Sequence, residues 1–146
     1  MNVQTTRFGA VQIEADDILL FREGLIGFEG EQHWVVLADG ENPTVAWLQS
    51  IHHPELALPI VSPRRFLPGY QVRVESTELD NLQLKSVSDA HVLSIVGQGK
   101  NGLCMNLRAP IIINVARKLG CQVITFDEQP MQYELPSSSR SLKRSA

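Results

Sequence analysis

Short segments with a period of two dominate this sequence, and turn-forming residues separate them. A helix-rich or α/β chain would carry amphipathic helical segments of roughly 10–15 residues between its strands, and this sequence has none. Alternation and β-branched residues therefore predict an all-β, antiparallel fold. The strand-like segments are residues 8–14, 18–21, 33–38, 45–50, 58–61, 71–75, 91–96, 103–107, 110–114, 121–126 and 131–135.

So many short strands would expose many sheet edges unless the sheet closed on itself. We therefore expect a small, closed or nearly closed β-barrel-like domain of about ten short strands, with one or two short helical turns. Residues 62–70 are expected to form a loop or one helical turn, and residues 76–82 a short helix. Pro59 cannot donate to a ladder, so its strand is expected at a sheet edge or Pro59 at the strand start. Residues 115–120 are expected to form a turn that ends at Gly120.

Charge is divided unevenly between the body of the chain and its last residues. Residues 1–136 hold all 16 acidic residues against 10 basic ones, a net charge of −6, whereas residues 137–146 carry +3. An acidic body repels nucleic-acid phosphates and attracts basic proteins. We therefore predict a single domain over residues 1–136 that binds no nucleic acid directly, and a disordered, basic, serine-rich tail over residues 137–146.

The sequence carries no pattern typical of an enzyme, a metal site or a membrane protein. His52 and His53 are adjacent, so in an extended chain their side chains point apart and cannot share a metal ion. The two cysteines show no metal-site spacing, and no signal peptide or membrane-spanning run is present. We expect a cytoplasmic monomer without catalytic residues, metal or cofactor. A small-molecule-binding β-barrel or an enzyme with an unrecognised motif stays open as the alternative.

Two loops contain apolar residues where polar ones are usual. Residues 24–30 place Leu25, Ile26 and Phe28 between glycines, and residues 66–70 place apolar residues on both sides of Pro68 and Gly69. Such loops either fold back and plug the ends of the barrel or form an exposed protein-binding patch. In the second case Glu23, Glu29 and Glu31 would give the patch a negative rim.

Several separate motifs stand in order along residues 8–134. They are residues 21–29 (FREGLIGFE), 47–50 (WLQS), 63–70 (PRRFLPGY), 106–114 (NLRAPIIIN) and 122–124 (QVI). Together these motifs resemble the flagellar assembly factor FliW family. Three features depart from the family's pattern. Ile26 stands where the family usually has proline, Leu58 stands where it usually has phenylalanine, and the basic tail is not a family feature.

This resemblance implies a non-enzymatic regulator with a small β-barrel-like fold. Members of the family bind flagellin in the cytoplasm and also bind the RNA-binding translational repressor CsrA. By partner switching, export of flagellin frees the factor to sequester CsrA, so that flagellin mRNA is translated. A basic RNA-binding protein is also the kind of partner that a body of charge −6 attracts.

The family motifs contain both fold residues and candidate binding residues. Trp47 and Leu48 are expected in the core, whereas Asn106 and Asn114 are expected to set turns through their side-chain hydrogen bonds. The candidate protein-binding residues are Leu25, Ile26, Phe28 and Glu29 in the first loop, followed by Gln49, Ser50, Arg64, Phe66 and Tyr70.

Overall fold

A computed structural model describes residues 1–136 of the chain, and the tail predicted for residues 137–146 lies outside the described residues. The fold is all-β, as the alternating pattern predicted. The strands are β1 (Asn2–Thr5), β2 (Gly9–Gln12), β3 (Leu19–Leu20), β4 (His33–Ala38), β5 (Ala46–Ser50), β6 (Ala57–Val61), β7 (Ala90–Gly99), β8 (Gly102–Met105), β9 (Ile111–Asn114), β10 (Leu119–Gln122) and β11 (Tyr133–Glu134). Among the described residues, no helix is both long and apolar enough to cross a membrane.

The helical parts are short. One α-helical turn, α1 (Pro63–Phe66), has proline in its first turn, where the missing N–H has no helical partner in any case. Three 3-10 helices span Ala15–Asp17, Ser76–Leu82 and Val87–Asp89. The sequence predicted helical turns at two of these four places and missed the two three-residue ones.

Seven strands form a closed ring in the order β7, β6, β5, β4, β3, β10, β9 and back to β7. Six of these neighbouring pairs are antiparallel, and the pair β3–β10 is parallel. A ring with an odd number of strands cannot alternate direction all the way round, so one parallel pair is required. The predicted closed barrel is therefore confirmed, with this one exception to its antiparallel order.

The core of the ring consists of side chains from alternate strand positions. Trp34 and Leu48, from neighbouring strands, are fully buried. Gly120 leaves the space that the Phe21 ring occupies, because a Cβ at position 120 would lie 2.4 Å from Phe21 Cζ. The buried members of this core are Leu19, Phe21, Leu25, Trp34, Leu48, Ile60, Ile111 and Ile113.

Further elements pack against the outside of the ring. The far half of β7 forms a hairpin with β8, which pairs in turn with β11. A second core, which includes Trp47 and Met105, lies between this extension and the ring. The β1–β2 hairpin covers Val35 through Val3 and Ile13, and the 3-10 helix Ser76–Leu82 lies against β10.

The structure corrects three expectations. Strand β6 lies between β5 and β7, so Pro59 is not at a sheet edge. The ladder between β6 and β7 begins at Ile60, so the N–H that Pro59 lacks would lie just outside that ladder. Residues 71–75 are not a strand, although Phe126 N donates to Arg73 O at 2.7 Å. The turn after β9 ends at Lys118, which has φ 57°, and Gly120 belongs to β10.

Candidate protein-binding surface

Residues 21–32, which connect β3 to β4, close one end of the ring, and we call them the plug loop. Leu25 is 1% exposed and packs in the ring core with Phe21 and Trp34. Ile26 and Phe28, by contrast, are 54% and 38% exposed. Both alternatives considered for this loop therefore occur in it: Leu25 plugs the barrel, and Ile26 and Phe28 remain on the outer surface.

The tip of the plug loop is a tight turn. Phe28 N donates to Leu25 O at 2.8 Å, and Gly27 has φ 90°. Positive φ at the third position alone is the requirement of a type II turn, which glycine meets without steric cost and which favours proline at the second position. Ile26 occupies that second position. The turn thus has a backbone geometry that favours proline at the position that Ile26 occupies.

Gln122 at the end of β10, the ring neighbour of β3, fixes this turn with its side chain. Its Oε1 accepts a hydrogen bond from Ile26 N at 2.8 Å, and its Nε2 donates to Ala109 O at 3.0 Å. A proline at position 26 would have no N–H to donate to Gln122 Oε1. The side chain of Gln122 therefore holds in place a turn whose second residue lacks the fixed φ of proline.

Glu29 places a negative charge beside the turn. Its carboxylate accepts a hydrogen bond from Gly27 N at 2.9 Å, and backbone N–H groups, that of Gly27 first, lower the pKa of Glu29 below its ordinary value of 4.5. Glu29 is therefore ionised at neutral pH. The neighbouring Glu31 faces inward instead, because its side chain is buried and lies 3.3 Å from His53 Nε2.

Gln49 and Ser50 lie in the interior, so the structure does not support direct contact of their side chains with a partner. Gln49 Nε2 donates to carbonyl oxygens of the turn after β5, including Ser50 O at 3.0 Å. Ser50 Oγ accepts hydrogen bonds from His52 N and His53 N. Both residues are fully buried and shape the connection between β5 and β6. Leu25 is corrected in the same way, because its side chain faces the core.

The second predicted loop is anchored by Tyr70. This side chain is buried and its hydroxyl donates to Leu107 O, while burial raises the pKa of Tyr70 to about 12. Tyr70 therefore stays a protonated donor and is not a surface contact. Arg64 is exposed and donates from Nε to Tyr70 O at 3.0 Å, and Phe66 packs half-buried on the second core. Arg64 is the most accessible of the three.

Gln122, Ile124 and Phe126 were not predicted as site residues. Residues 121–126 were predicted as a strand, but the sequence alone does not tell which face of that strand passes the end of the barrel. In the structure Ile124 and Phe126 are 56% and 64% exposed, while Val123 and Thr125 between them are buried. The sequence pattern that could have identified Ile124 and Phe126 is the period-two alternation, which places these two large apolar residues on one face of the segment.

Turn, core and metal expectations can also be compared with the structure. Trp47 and Leu48 are buried, as predicted. Asn106 Oδ1 accepts from Arg108 N and Ala109 N, and Asn114 Oδ1 accepts from Arg117 N, so both predicted asparagine turns are confirmed. Within residues 1–136, no group of three or more His, Cys, Asp or Glu side chains is placed to hold a metal ion.

The comparisons with known proteins agree on one family. A model of the family "FliW protein" matches residues 2–135. The flagellar assembly factor FliW of Syntrophus aciditrophicus is 35% identical over 139 residues, which cover 92% of this chain and 87% of the relative. That of Lachnoclostridium phytofermentans is 37% identical over 132 residues, covering 87% of this chain and 85% of the relative.

A solved structure agrees with the sequence matches. The crystal structure of a flagellar assembly factor FliW superimposes with a TM-score of 0.82 at 29% identity. The match covers 92% of this chain and 95% of the solved one. The closed ring and its outer extension are thus shared across nearly the full length of both chains.

Proposed function

Because this chain belongs to the FliW family of flagellar assembly factors, we propose that it is a cytoplasmic protein-binding regulator. It binds flagellin and, when flagellin is exported, binds and antagonises a CsrA-type translational repressor instead. The released flagellin mRNA is then translated and the flagellum assembled. The observation that carries this proposal is the family match over residues 2–135, because it spans the whole described domain.

The charge of the domain supports a basic partner. Residues 1–136 have a net charge of −6, and an acidic surface accelerates encounter with a basic RNA-binding protein while disfavouring RNA itself. The regulator would thus act on RNA indirectly, through its partner, as a monomer and without catalytic residues. Its binding to the repressor should weaken as salt is added, because exposed charges are screened over roughly 10 Å at 0.1 M salt.

The outer face of the plug loop supports protein contact. Ile26 and Phe28 are exposed apolar side chains next to the ionised Glu29, and aromatic and apolar groups with a charged rim are typical of interfaces. We propose that these three residues, with the exposed Arg64 and the half-buried Phe66, contact partner proteins. Leu25, Gln49, Ser50 and Tyr70 would act indirectly, by holding the backbone beneath that surface.

A cavity at the other end of the ring keeps a second function open. It measures about 330 Å³ and is lined by aliphatic side chains, among them Val36, Leu93 and Ile113. A small-molecule-binding barrel would use such a cavity, but ligand sites usually add converging polar groups. Three titratable side chains, Asp17, His91 and Lys118, also line it, and Asp17 and His91 are exposed. The family match over residues 2–135 supports protein binding more directly than this cavity supports ligand binding.

A sizing column tests the proposed function directly. The purified chain is mixed with flagellin and, separately, with the CsrA-type protein encoded by the same genome. Co-elution with each partner, and displacement of the repressor by added flagellin, is expected. Co-elution with neither would contradict the proposal. A chain lacking residues 137–146 should bind both partners as well as the full chain does, because we assign binding to residues 1–136.

A further inference from the structure

The segment that follows β10 is a continuation of that strand beyond the end of the ring. Val123 N donates to Pro110 O and Thr125 N donates to Arg108 O, which is the spacing of an antiparallel ladder. Successive side chains therefore point to opposite faces. Val123 and Thr125 face the protein, and Ile124 and Phe126 face outward.

The exposed face of this segment is the continuation of the ring's inner face. Gly120 on this face lies against the core residue Phe21, and Gln122, two residues on, hydrogen-bonds the plug loop at Ile26. Ile124 and Phe126 follow with the same parity but lie past the plug, and more than half of each side chain is exposed. Two apolar side chains on the inner face of the continued strand are therefore left at the surface.

This row of side chains runs from the plug loop to the segment of residues 71–75. At one end Gln122 bonds to Ile26 of the plug loop. At the other end Phe126 N donates to Arg73 O, and Arg73 forms an ion pair of 3.2 Å with Asp127. At about 3.3 Å per residue, the row from Gln122 to Phe126 is roughly 13 Å long. It is long enough to meet two turns of a helix, each of which rises about 5.4 Å.

Acidic groups flank the row at both ends. Glu29 lies beside the Ile26 turn, and Asp127 and Glu128 follow Phe126 directly. Asp127 is paired with Arg73, whereas the carboxylate of Glu29 is bound to its own loop's backbone and has no ion pair within residues 1–136. The complementary ligand therefore carries apolar side chains on one face and basic side chains at its margins.

We propose that Ile26, Ile124 and Phe126 form one docking surface for the apolar face of a basic amphipathic segment of a partner protein. The surface combines a loop residue with two residues of a continued strand, and Gln122 fixes their relative position. The assignment rests on the proposed function in one respect only, that the partner is a protein. It adds to that function a specific place and a chemical class of ligand.

The test uses defined peptides, so that it does not depend on knowing the partner. A dye-labelled amphipathic helix of leucine and lysine and a matched helix of leucine and glutamate are titrated with the full chain, and anisotropy is measured. The variants are Phe126→Ser and Ile124→Ser. Val87→Ser is the matched control, because Val87 is 88% exposed on the short helix that precedes β7.

The Leu/Lys peptide should bind the wild type and lose about tenfold or more in affinity with Phe126→Ser, since burying a phenylalanine is worth at least that factor. Val87→Ser should stay within about twofold of the wild type, and the Leu/Glu peptide should bind more weakly than the Leu/Lys peptide. Equal binding by Phe126→Ser, or equal binding of the two peptides, would overturn the assignment.

Two further outcomes separate this assignment from the proposed function. Sedimentation of the chain alone tests for a dimer. A dimer that Phe126→Ser abolishes would assign the surface to a second copy of the chain and overturn the partner assignment. Peptide binding that depends on Phe126, in a chain that co-elutes with neither flagellin nor the repressor, would support the surface and contradict the proposed function.

Discussion

The two ends of the seven-stranded ring are built differently. At the plugged end, the side chain of Leu25 fills the core, so this end of the barrel is closed. Gln122 accepts a hydrogen bond from the turn that contains Leu25. At the opposite end, where β3 begins and β4 ends, Val36 is 41% exposed and a cavity of about 330 Å³ opens between aliphatic side chains. The same alternating strand pattern thus produces a filled end and an unfilled one.

At the plugged end the exposed apolar side chains have a fixed geometry, whereas at the open end apolar side chains only line a cavity. The plug loop seals the core with one side chain and presents others, Ile26 and Phe28, on its outer side. Its geometry is fixed by the type II turn and by hydrogen bonds to Gln122 and Glu29. A preorganised apolar surface loses less freedom on binding than a mobile one. We therefore place partner binding at the plugged end.

Removing side-chain volume should affect the two ends very differently. Leu25→Ala leaves a cavity in a closed core and should lower the free energy of unfolding by about 2–5 kcal/mol. Val36→Ala removes a partly exposed side chain beside an existing cavity and should cost below about 1 kcal/mol. Urea denaturation of both variants measures the difference. Similar losses would mean that the two ends are equally packed.

Adding volume should give the next largest contrast. A Cβ at position 120 would lie 2.4 Å from Phe21 Cζ, so Gly120→Ala should destabilise the protein by about 1–3 kcal/mol. Val36→Leu extends into the open cavity and should change stability by less than about 1 kcal/mol. Thermal unfolding of the pair gives the comparison. A Gly120→Ala variant as stable as the wild type would show that Phe21 can move away freely.

The turn at the plugged end allows a smaller, more specific test. Ile26→Pro fixes φ, worth about 0.4–1 kcal/mol, but removes the N–H that Gln122 accepts, worth about 0.5–1.5 kcal/mol. The net change should therefore be within about 1 kcal/mol of zero. Gln122→Ala should be less harmful in the Ile26→Pro background than alone, because its partner is already absent. Additive effects in this double-mutant cycle would contradict the role given to the hydrogen bond.

The smallest expected effect is the pH dependence of Glu29. Its pKa is lowered in the folded protein, so its ionised form stabilises the fold above the ordinary value of 4.5 and this contribution is lost as pH falls through the folded pKa. Glu29→Gln should therefore be less stable than the wild type at pH 7, with the gap narrowing as the pH is lowered below 4.5. A gap that does not change as the pH is lowered through the acid range would mean that the charge of Glu29 does not matter to the turn.

The sequence predicted the strand content and the closure of the barrel because both depend on local alternation and on the need to cover edges. The β4–β5 and β7–β8 hairpins form where turn-forming residues separate two predicted strands. Burial of individual loop residues was not predictable. Leu25 and Ile26 are adjacent and apolar, and only the three-dimensional position of the ring end decides which one enters the core.

The same limit applies to the candidate surface. Gln49 and Ser50 were predicted as contacts because a family motif does not distinguish binding residues from buried polar ones, and the structure places both inside. Ile124 and Phe126 were missed for the converse reason. They are exposed because the strand continues beyond the end of the ring, and no local sequence pattern shows where the ring ends.

The most direct test of the account is to place a charge at each end of the ring and to measure partner binding. Ile26→Asp at the plugged end and Val36→Asp at the open end both replace a partly exposed aliphatic side chain. Titration of the CsrA-type repressor and of flagellin should show affinity reduced by about tenfold or more for Ile26→Asp with at least one partner, and unchanged for Val36→Asp. Loss of binding with Val36→Asp alone, or with neither variant, would contradict the assignment of function to the plugged end.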